Sequence, residues 1–441
     1  MARLSEILLG GVVPTALILS GAYFLIRLRF FYLIHPRRAW GLLGGRDRAE
    51  RRASLRSLSL ALAGTLGVGN IVGVAGAIVM GGAGAIFWMW ISAFFAMTLK
   101  YAEIVLAMRT RRFDGEGNPH GSAMNYIRAA FRERGFPIVG GLLAAIFAAL
   151  CVVNALTMGS LLQVEAVSSA LGDSFGIPRI WIGLGLSLLT LWCIRGGSHG
   201  MMRLTERLVP LMSIGYVILS VAVLIIRADA LPGAFREIFE DALRPSSAVG
   251  GIGGFLTSRS VRYGTMRGLI SNEAGCGTAP MAHATAVGGT PVRQGLMGVL
   301  EVFVDTLLLC TLTALVILVS PSEAGAIGSD FMRVTLSAYE AVLGTSATYF
   351  MSLAVLLFGF ATVVCWAHYG LESVTYFSSL RKMKILFGAI YLGAVLWGSV
   401  ADAEPIWQIT DLAIGGMTLI NLTALLLLNH RVEEETFPLP K

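Results

Sequence analysis

Residues Leu60–Gly82 read LALAGTLGVGNIVGVAGAIVMGG, and residues Met266–Ala286 read MRGLISNEAGCGTAPMAHATA. Each is an apolar stretch of membrane-span length interrupted by a polar, glycine-rich patch. Lipid cannot hydrogen-bond an unwound backbone, so a broken helix persists at membrane depth only where it is buried in protein or lines a cavity. The two interruptions sit in corresponding places in the two halves of the chain. Such a pair points to a solute-binding site between two repeats of opposite orientation.

Composition agrees with a membrane setting. The chain has 441 residues, 55% of them hydrophobic and 14% charged, with a mean hydropathy of +0.73. Soluble domains carry about 25% charged residues. One transmembrane unit is therefore expected, with no separate soluble domain. The five cysteines, Cys151, Cys193, Cys276, Cys310 and Cys365, form no CxxC pair and are read as small buried residues without disulfides. Met1–Arg27 lacks a small-residue cleavage site after its apolar stretch and reads as a retained helix rather than a signal peptide.

Taking about 20 residues as the length needed to span, eleven segments qualify: Ile7–Ile26, Leu55–Met80, Ala85–Met108, Ile138–Leu171, Arg179–Ile194, Leu204–Ile226, Phe255–Ala286, Val292–Val319, Tyr349–Phe377, Ile385–Val400 and Ile406–Leu428. Basic residues collect on one side of this array. Nine arginines fall between Arg27 and Arg56 and six between Arg109 and Arg134, with Arg195, Arg203, Arg381, Lys382 and Lys384 on the same side. Glu323, Asp330, Glu340, Asp402 and Glu404 occupy the other. The positive-inside bias predicts an external N-terminus and a cytoplasmic C-terminus in a plasma (inner) membrane, and it accounts for the net charge of +7 without a nucleic-acid partner. With the first span set aside, ten remain, and the broken spans open each five. The expected organisation is an extra span and basic loop over 1–54, repeats over 55–228 and 229–430, and a cytoplasmic tail over 431–441.

Several polar residues stand out in this apolar background. Gly64, Gly67, Gly69 and Gly73 surround Thr65 and Asn70. Glycine permits unwinding, and a half-helix restarting near Asn70 would aim free N–H groups at an anion such as a carboxylate. Close helix packing through a GxxxG pattern is the competing explanation for Gly69 and Gly73. In the second break, Ser271, Asn272 and Glu273 precede Gly275 and Gly277. Unwound carbonyls there suit an ammonium group or a cation, while Glu273 either serves function or caps freed N–H groups. Gln163 offers donors and an acceptor suited to a zwitterion. Glu165 lies about 200° round the same helix, so the two are not expected to share a face. Thr362 and Trp366 lie four apart on one helical face. Glu165, Glu273 and His368 are the protonatable candidates. The sequence has no GxxxxGK[ST] or HExxH motif, so neither ATP-driven transport nor metallohydrolase chemistry is indicated.

Several stretches carry a family resemblance. GTLGVGNIVGVAGAI (Gly64–Ile78), GGAGAIFWMW (Gly81–Trp90) with KYAE (Lys100–Glu103), SNEAGCGTAPMAHATA (Ser271–Ala286), QGLMGVLEVFVDTLLLCTLTALVIL (Gln294–Leu318) and FATVVCW (Phe360–Trp366) resemble the alanine or glycine:cation symporter family of the amino-acid/polyamine/organocation superfamily. The similarity runs from about Arg27 to Asn421. It implies an all-α membrane protein with the LeuT-type 5+5 inverted repeat and one extra N-terminal helix. It also implies import of a small neutral amino acid, alanine or glycine, with Na⁺ or H⁺ and no organic cofactor. Position by position, it places the substrate carboxylate at Asn70 and the backbone of Gly67–Gly69. It places the ammonium group at the backbone of Ile270–Gly275, with Ser271 and Asn272, and has Gln163, Thr362 and Trp366 bordering the substrate. A sodium site would use carbonyls of Ala63, Leu66 and Phe358 with the Thr362 hydroxyl.

The chain departs from the family pattern in five places. A Ser-Thr pair is Ala361-Thr362, which removes one oxygen ligand. QANS is QVEA (Gln163–Ala166), GGPMYYI is HGSAMNYI (His120–Ile127), GGPG is GGAG (Gly81–Gly84) and WSYYGE is WAHYGL (Trp366–Leu371). Alternatives are a carrier for another small amine or amino acid, or a membrane sensor that keeps the fold without transport.

Overall fold

A computed structural model describes residues 8–34, 36–44, 48–113, 115, 117, 119–243, 259–287, 289–321 and 330–437. The start of the first expected span, residues 255–258 of the seventh, Glu323 and the end of the tail lie outside these. The chain is helical almost throughout. The one departure from all-α structure among the described residues is a two-stranded antiparallel ribbon, β1 (Arg112–Phe113) with β2 (Pro119–His120).

The helices that position the site are α1 (Val13–Arg27), α2 (Arg48–Thr65), α3 (Val72–Gly81), α4 (Gly84–Thr110), α5 (Ala123–Glu133), α6 (Pro137–Leu156), α7 (Leu162–Phe175), α8 (Arg179–Arg195), α9 (Gly197–Ile226) and α10 (Leu231–Ala242). They continue with α11 (Arg259–Asn272), α12 (Ala279–His283), α13 (Pro291–Val302), α14 (Thr311–Val319), α15 (Phe331–Leu343), α16 (Ser346–Phe377), α17 (Arg381–Gly398), α18 (Ala403–Leu427) and α19 (Asn429–Thr436). Among the described residues, seven helices are long and apolar enough to cross a membrane, and the bent pair α2–α3, kinked by 61°, makes eight. Three other expected spans appear as α8, α17 and the interrupted pair α11–α12.

The breaks have local causes. Between α2 and α3, Gly67 is extended and a single 3₁₀ turn covers Val68–Asn70. Between α11 and α12, Glu273, Gly275 and Gly277 adopt φ of 51°, 87° and 78°. That left-handed region terminates a right-handed helix and is cheap only for glycine, so Glu273 is held there by its contacts. Two further interruptions are not evident in the hydropathy. The long fourth span is parted by a π-turn at Thr157–Leu161, and the eighth by a π-helical stretch at Phe303–Cys310. Such π-bulges recur at functional sites because they release backbone carbonyls and re-aim side chains.

Chain direction is set by simple caps. Thr290 accepts the Arg293 N–H with Pro291 at the first helical position, starting α13. Asp330 and Asp402 cap α15 and α18 in the same manner. Small residues then bring helices close, as helix pairs in lipid require. A Cβ on Gly268 of α11 would fall 2.6 Å from Ser92 Oγ of α4, which seats the second broken span tightly on α4.

Candidate functional site

The first break meets α7 and α16. Gln163 Oε1 accepts the Val68 N–H at 2.9 Å, while Gln163 Nε2 donates to Met158 O at 3.0 Å, a carbonyl of the π-turn. One amide therefore satisfies backbone from two interruptions at once. A Cβ on Gly67 would lie 2.7 Å from Thr362 Oγ1 and 2.9 Å from Gln163 Oε1, so glycine is required for this approach. Gly69 and Gly73 behave differently. A Cβ on either meets nothing within 4 Å, so neither makes the close helix contact that a GxxxG packing motif would need.

Thr362 Oγ1 reaches Ala63 O at 3.0 Å and Phe358 O at 3.1 Å. Three of the four oxygens expected in a sodium shell are thus clustered where α2 meets α16. Ala361, fully buried beside them, contributes a methyl group and no ligand.

A cavity of about 30 Å³ lies against this junction, lined in part by Gly67, Gly69, Gln163, Glu165, Ile270 and Trp407. It has room for about one water molecule. Gln163 and Glu165 both line it, contrary to the expectation that they could not share a face. Leu162 and Ala166 line the arc of α7 between them, so the cavity wraps nearly half of the helix and takes both flanks. A larger vestibule of about 710 Å³ adjoins it and shares Val72, Glu165, Ala166 and Trp407. Its walls carry both signs of charge, with Arg179 and Arg267 among the bases and Asp330, Asp402 and Glu404 among the acids. The Arg267 guanidinium stacks 4.6 Å from the Trp407 ring centroid at this partition.

Asn70, Ser271 and Asn272 turn elsewhere, toward α13 and its π-helical extension. Asn70 Nδ2 donates to Asp305 Oδ1 at 2.7 Å, and Ser271 Oγ donates to Asp305 Oδ2 at 2.7 Å. Asp305 therefore joins the two breaks. Asn272 Nδ2 donates to Thr306 Oγ1 at 3.1 Å, and its carbonyl accepts from Lys100 Nζ at 2.7 Å. Asn421 Nδ2 donates to the Gly275 carbonyl at 2.9 Å.

Glu273 does not cap the freed backbone. Its carboxylate accepts from Thr278 Oγ1 at 2.6 Å and from Trp366 Nε1 at 3.2 Å. The capping role is shared by Asn272, whose Oδ1 accepts the Ala274 N–H at 3.0 Å, and Glu103, which accepts the Gly277 N–H at 3.0 Å and also pairs with Asn421. Through its bond to Glu273, Trp366 belongs to the second break rather than to the small cavity, and it packs over Gly159, where any side chain would collide with it. His368 is buried one turn from Glu372, which pairs with His120 at 3.2 Å, and forms no part of the Gln163 cluster.

The residues missed in the sequence are Lys100, Glu103, His283, Glu301, Asp305 and Asn421, all buried. The available signal was their placement. KYAE, EVFVD and MAHA put ionisable groups inside apolar spans, where each is a functional candidate by default.

A model of the sodium:alanine symporter family matches residues 1–437. The sodium/alanine symporter AgcS of Methanococcus maripaludis is 33% identical over 86% of this chain and 83% of its own length. The amino-acid carrier protein AlsT of Bacillus subtilis is 32% identical over 93% of this chain and 85% of its own length. Among solved structures, a manganese transporter from Eremococcus coleocola superposes with a TM-score of 0.53 at 15% identity, covering 88% of this chain and 80% of that one, a likeness of fold alone. The chain, a helical membrane protein, belongs to the sodium:alanine symporter family.

Proposed function

We propose that this chain is a secondary active symporter that imports a small neutral amino acid, alanine or glycine, together with Na⁺ or H⁺. Two five-helix repeats, 55–228 and 229–430, alternate access around the breaks in the LeuT-type arrangement. With the extra first span they make eleven crossings of the inner membrane, the N-terminus outside and the C-terminus in the cytoplasm. The observation that carries this reading is the junction of Gly67, Gln163 and Thr362, where backbone from the first break meets two polar side chains with no space for a Cβ.

The Gly67–Gly69 backbone with Asn70 receives the substrate carboxylate. The Ile270–Gly275 backbone, with Ser271 and Asn272, receives its ammonium group. Gln163, Thr362 and Trp366 border the substrate. For Na⁺, the carbonyls of Ala63, Leu66 and Phe358 and the Thr362 hydroxyl supply hard oxygen donors. For H⁺, Glu165, Glu273 and His368 are protonatable groups buried or half-buried in the spans. In this reading the vestibule opens to the outside, with Glu165 and Trp407 lying between it and the small cavity.

Coupling requires the cation to bind the substrate-competent state more tightly than the other. Ordering the α2–α3 break around a cation supplies that difference, because the same segment carries the substrate backbone. The test is uptake of radiolabelled alanine and glycine into proteoliposomes under separately imposed Na⁺ and H⁺ gradients. Accumulation driven by either gradient supports the reading, and none under either overturns it.

A further inference from the structure

A second polar cluster lies beyond the substrate junction and ties both broken spans together. Lys100 Nζ lies 3.1 Å from Glu301 Oε1, and Glu301 Oε2 lies 3.0 Å from His283 Nε2. His283 Nδ1 lies 3.2 Å from Gln294 Oε1. Gln294 Nε2 donates to Ser54 Oγ at 2.7 Å, and Ser57 Oγ donates to Gln294 Oε1 at 3.1 Å. The chain of contacts thus runs from the carbonyl of Asn272 at the second break, through α4, α13 and α12, to α2 of the first broken span. His283 and Gln294 are fully buried, and Glu301 nearly so.

The contacts of this chain fit two proton counts. With Gln294 Nε2 toward Ser54, its oxygen faces His283 and Nδ1 carries a hydrogen; with the amide turned over, Nε2 donates to Nδ1 and the Ser54 hydroxyl donates to Oε1. A hydrogen must also lie between Nε2 and Glu301 Oε2, because two lone pairs at 3.0 Å repel. The first orientation therefore holds one proton more than the second. The titratable groups around the pair are Lys100 and Glu103 from α4, Glu273 from the second break, Asp305 from the π-helical stretch, and Cys365 and Tyr369 from α16. From α2 the facing groups are the hydroxyls of Ser54 and Ser57.

We propose that His283 is a proton-binding site of this carrier and that Gln294 relays its charge state to the first broken span. Loss of the proton from Nδ1 to water leaves a lone pair there. The Gln294 amide then makes a half-turn to present Nε2–H, and the Ser54 hydroxyl turns to donate to Oε1. The charge-assisted tie between α12 and α13 becomes a weaker one, so α2 and α12 part more readily in the deprotonated form. This deepens the symport reading, on which its place in transport rests, and names a proton carrier other than Glu165, Glu273 and His368.

The test is ¹⁵N NMR of the full chain in lipid nanodiscs, with histidine and glutamine side chains labelled. Between about pH 5 and 9, where histidine charge changes are found, His283 is expected to pass between imidazolium and a single-proton tautomer, with the Gln294 amide signal moving in step. His283→Gln assigns the signal. Gln294→Leu, which keeps the histidine, should move its transition. A His283 signal that is constant across this range, or a transition unchanged in Gln294→Leu, overturns the proposal. In proteoliposomes, pH-gradient stimulation of uptake should fall about tenfold in His283→Gln, within the usual range of coupling energies. Stimulation at the wild-type level in that variant also overturns the proposal. Absence of uptake from the wild type while His283 titrates overturns the symport reading and leaves the proton site standing.

Discussion

Gln163 holds the Val68 N–H from 95 residues away in the chain, at 2.9 Å, and does so with the oxygen that also borders Gly67. The first break is thus not held open by glycine alone. Its shape is completed by one amide of α7, itself anchored to Met158 O within the π-turn. Substitutions at this junction should act on transport before they act on folding.

Gly67→Ala adds a methyl group where Thr362 Oγ1 and Gln163 Oε1 would be 2.7 and 2.9 Å away. Both neighbours are held by further hydrogen bonds and cannot move freely. The backbone conformation at Gly67 is extended and open to alanine, so the effect is steric. Overpacking of this kind costs about 1–3 kcal/mol. Uptake is expected to fall by about tenfold or more. Gly69→Ala, with nothing within 4 Å of its new Cβ, should retain near-normal uptake. Comparable loss in both variants would show that unwinding, not clearance, is what glycine supplies here.

Gln163→Leu leaves the Val68 N–H without its acceptor inside a membrane protein. A buried orphan donor costs about 1–3 kcal/mol. Gln163→Glu keeps an acceptor for Val68 but loses the donor to Met158 O. Alanine affinity, measured by isothermal titration on purified protein, should fall more in the leucine variant than in the glutamate variant. Thermal unfolding should move little in either.

Asp305→Asn replaces an acceptor-only group that receives Asn70, Ser271 and Thr306. An amide has one oxygen, so at least one of these donors loses its partner, and the new NH₂ faces other donors. Because Asp305 links the two breaks, the loss is expected in coupling rather than in insertion. Folded protein should be recovered, with gradient-driven uptake reduced at least about tenfold. Wild-type uptake in Asp305→Asn would show that its charge is dispensable.

Much of this architecture is legible in the sequence, and the parts that are not have physical reasons. The glycine clusters at Gly67 and Gly275 announce the breaks because unwound backbone needs small residues and polar neighbours. The π-turns at Thr157–Leu161 and Phe303–Cys310 do carry small or polar residues, Thr157, Gly159, Ser160, Asp305 and Thr306, but the apolar stretch runs on through them and no glycine cluster marks a break. The partnership of Gln163 with Val68 depends on how α7 seats against α2, which no local pattern encodes. Glu273 was visible as an intramembrane acid, but its partners Thr278 and Trp366 follow from its left-handed backbone. Lys100, Glu301 and Asp305 carried the same intramembrane signal. They are satisfied by residues far away in sequence, so pairing them required the fold.

The small cavity sets an expectation for substrate size. At about 30 Å³ it must expand to admit any amino acid, and each added methylene demands further movement of Gln163, Ile270 or Trp407. Alanine and glycine should therefore compete for uptake better than leucine or phenylalanine. Discrimination by a methylene or two is worth about 1–3 kcal/mol. Competition assays in which leucine outperforms alanine would redirect the substrate proposal to a larger solute.

The cation prediction turns on Ala361. Sodium favours a full shell of hard oxygen ligands, and two of the expected carbonyls, of Ala63 and Phe358, meet the Thr362 hydroxyl at 3.0 and 3.1 Å. Ala361 is buried beside them and supplies none. A missing ligand weakens such a site without abolishing it, because water or another carbonyl can substitute. Wild-type uptake is therefore expected to show weak Na⁺ dependence. Ala361→Ser places a hydroxyl next to the cluster with only one added atom, so packing should tolerate it. The Na⁺ concentration for half-maximal uptake should fall by about tenfold, corresponding to one ion–hydroxyl contact of about 1.4 kcal/mol. Thr362→Val removes the central oxygen at constant shape and should abolish Na⁺ stimulation in either background. If Ala361→Ser leaves the Na⁺ response unchanged while Thr362→Val eliminates it, the shell is already complete by another route. If Thr362→Val also has no effect, the coupling cation binds elsewhere and these oxygens serve only to join α2 to α16.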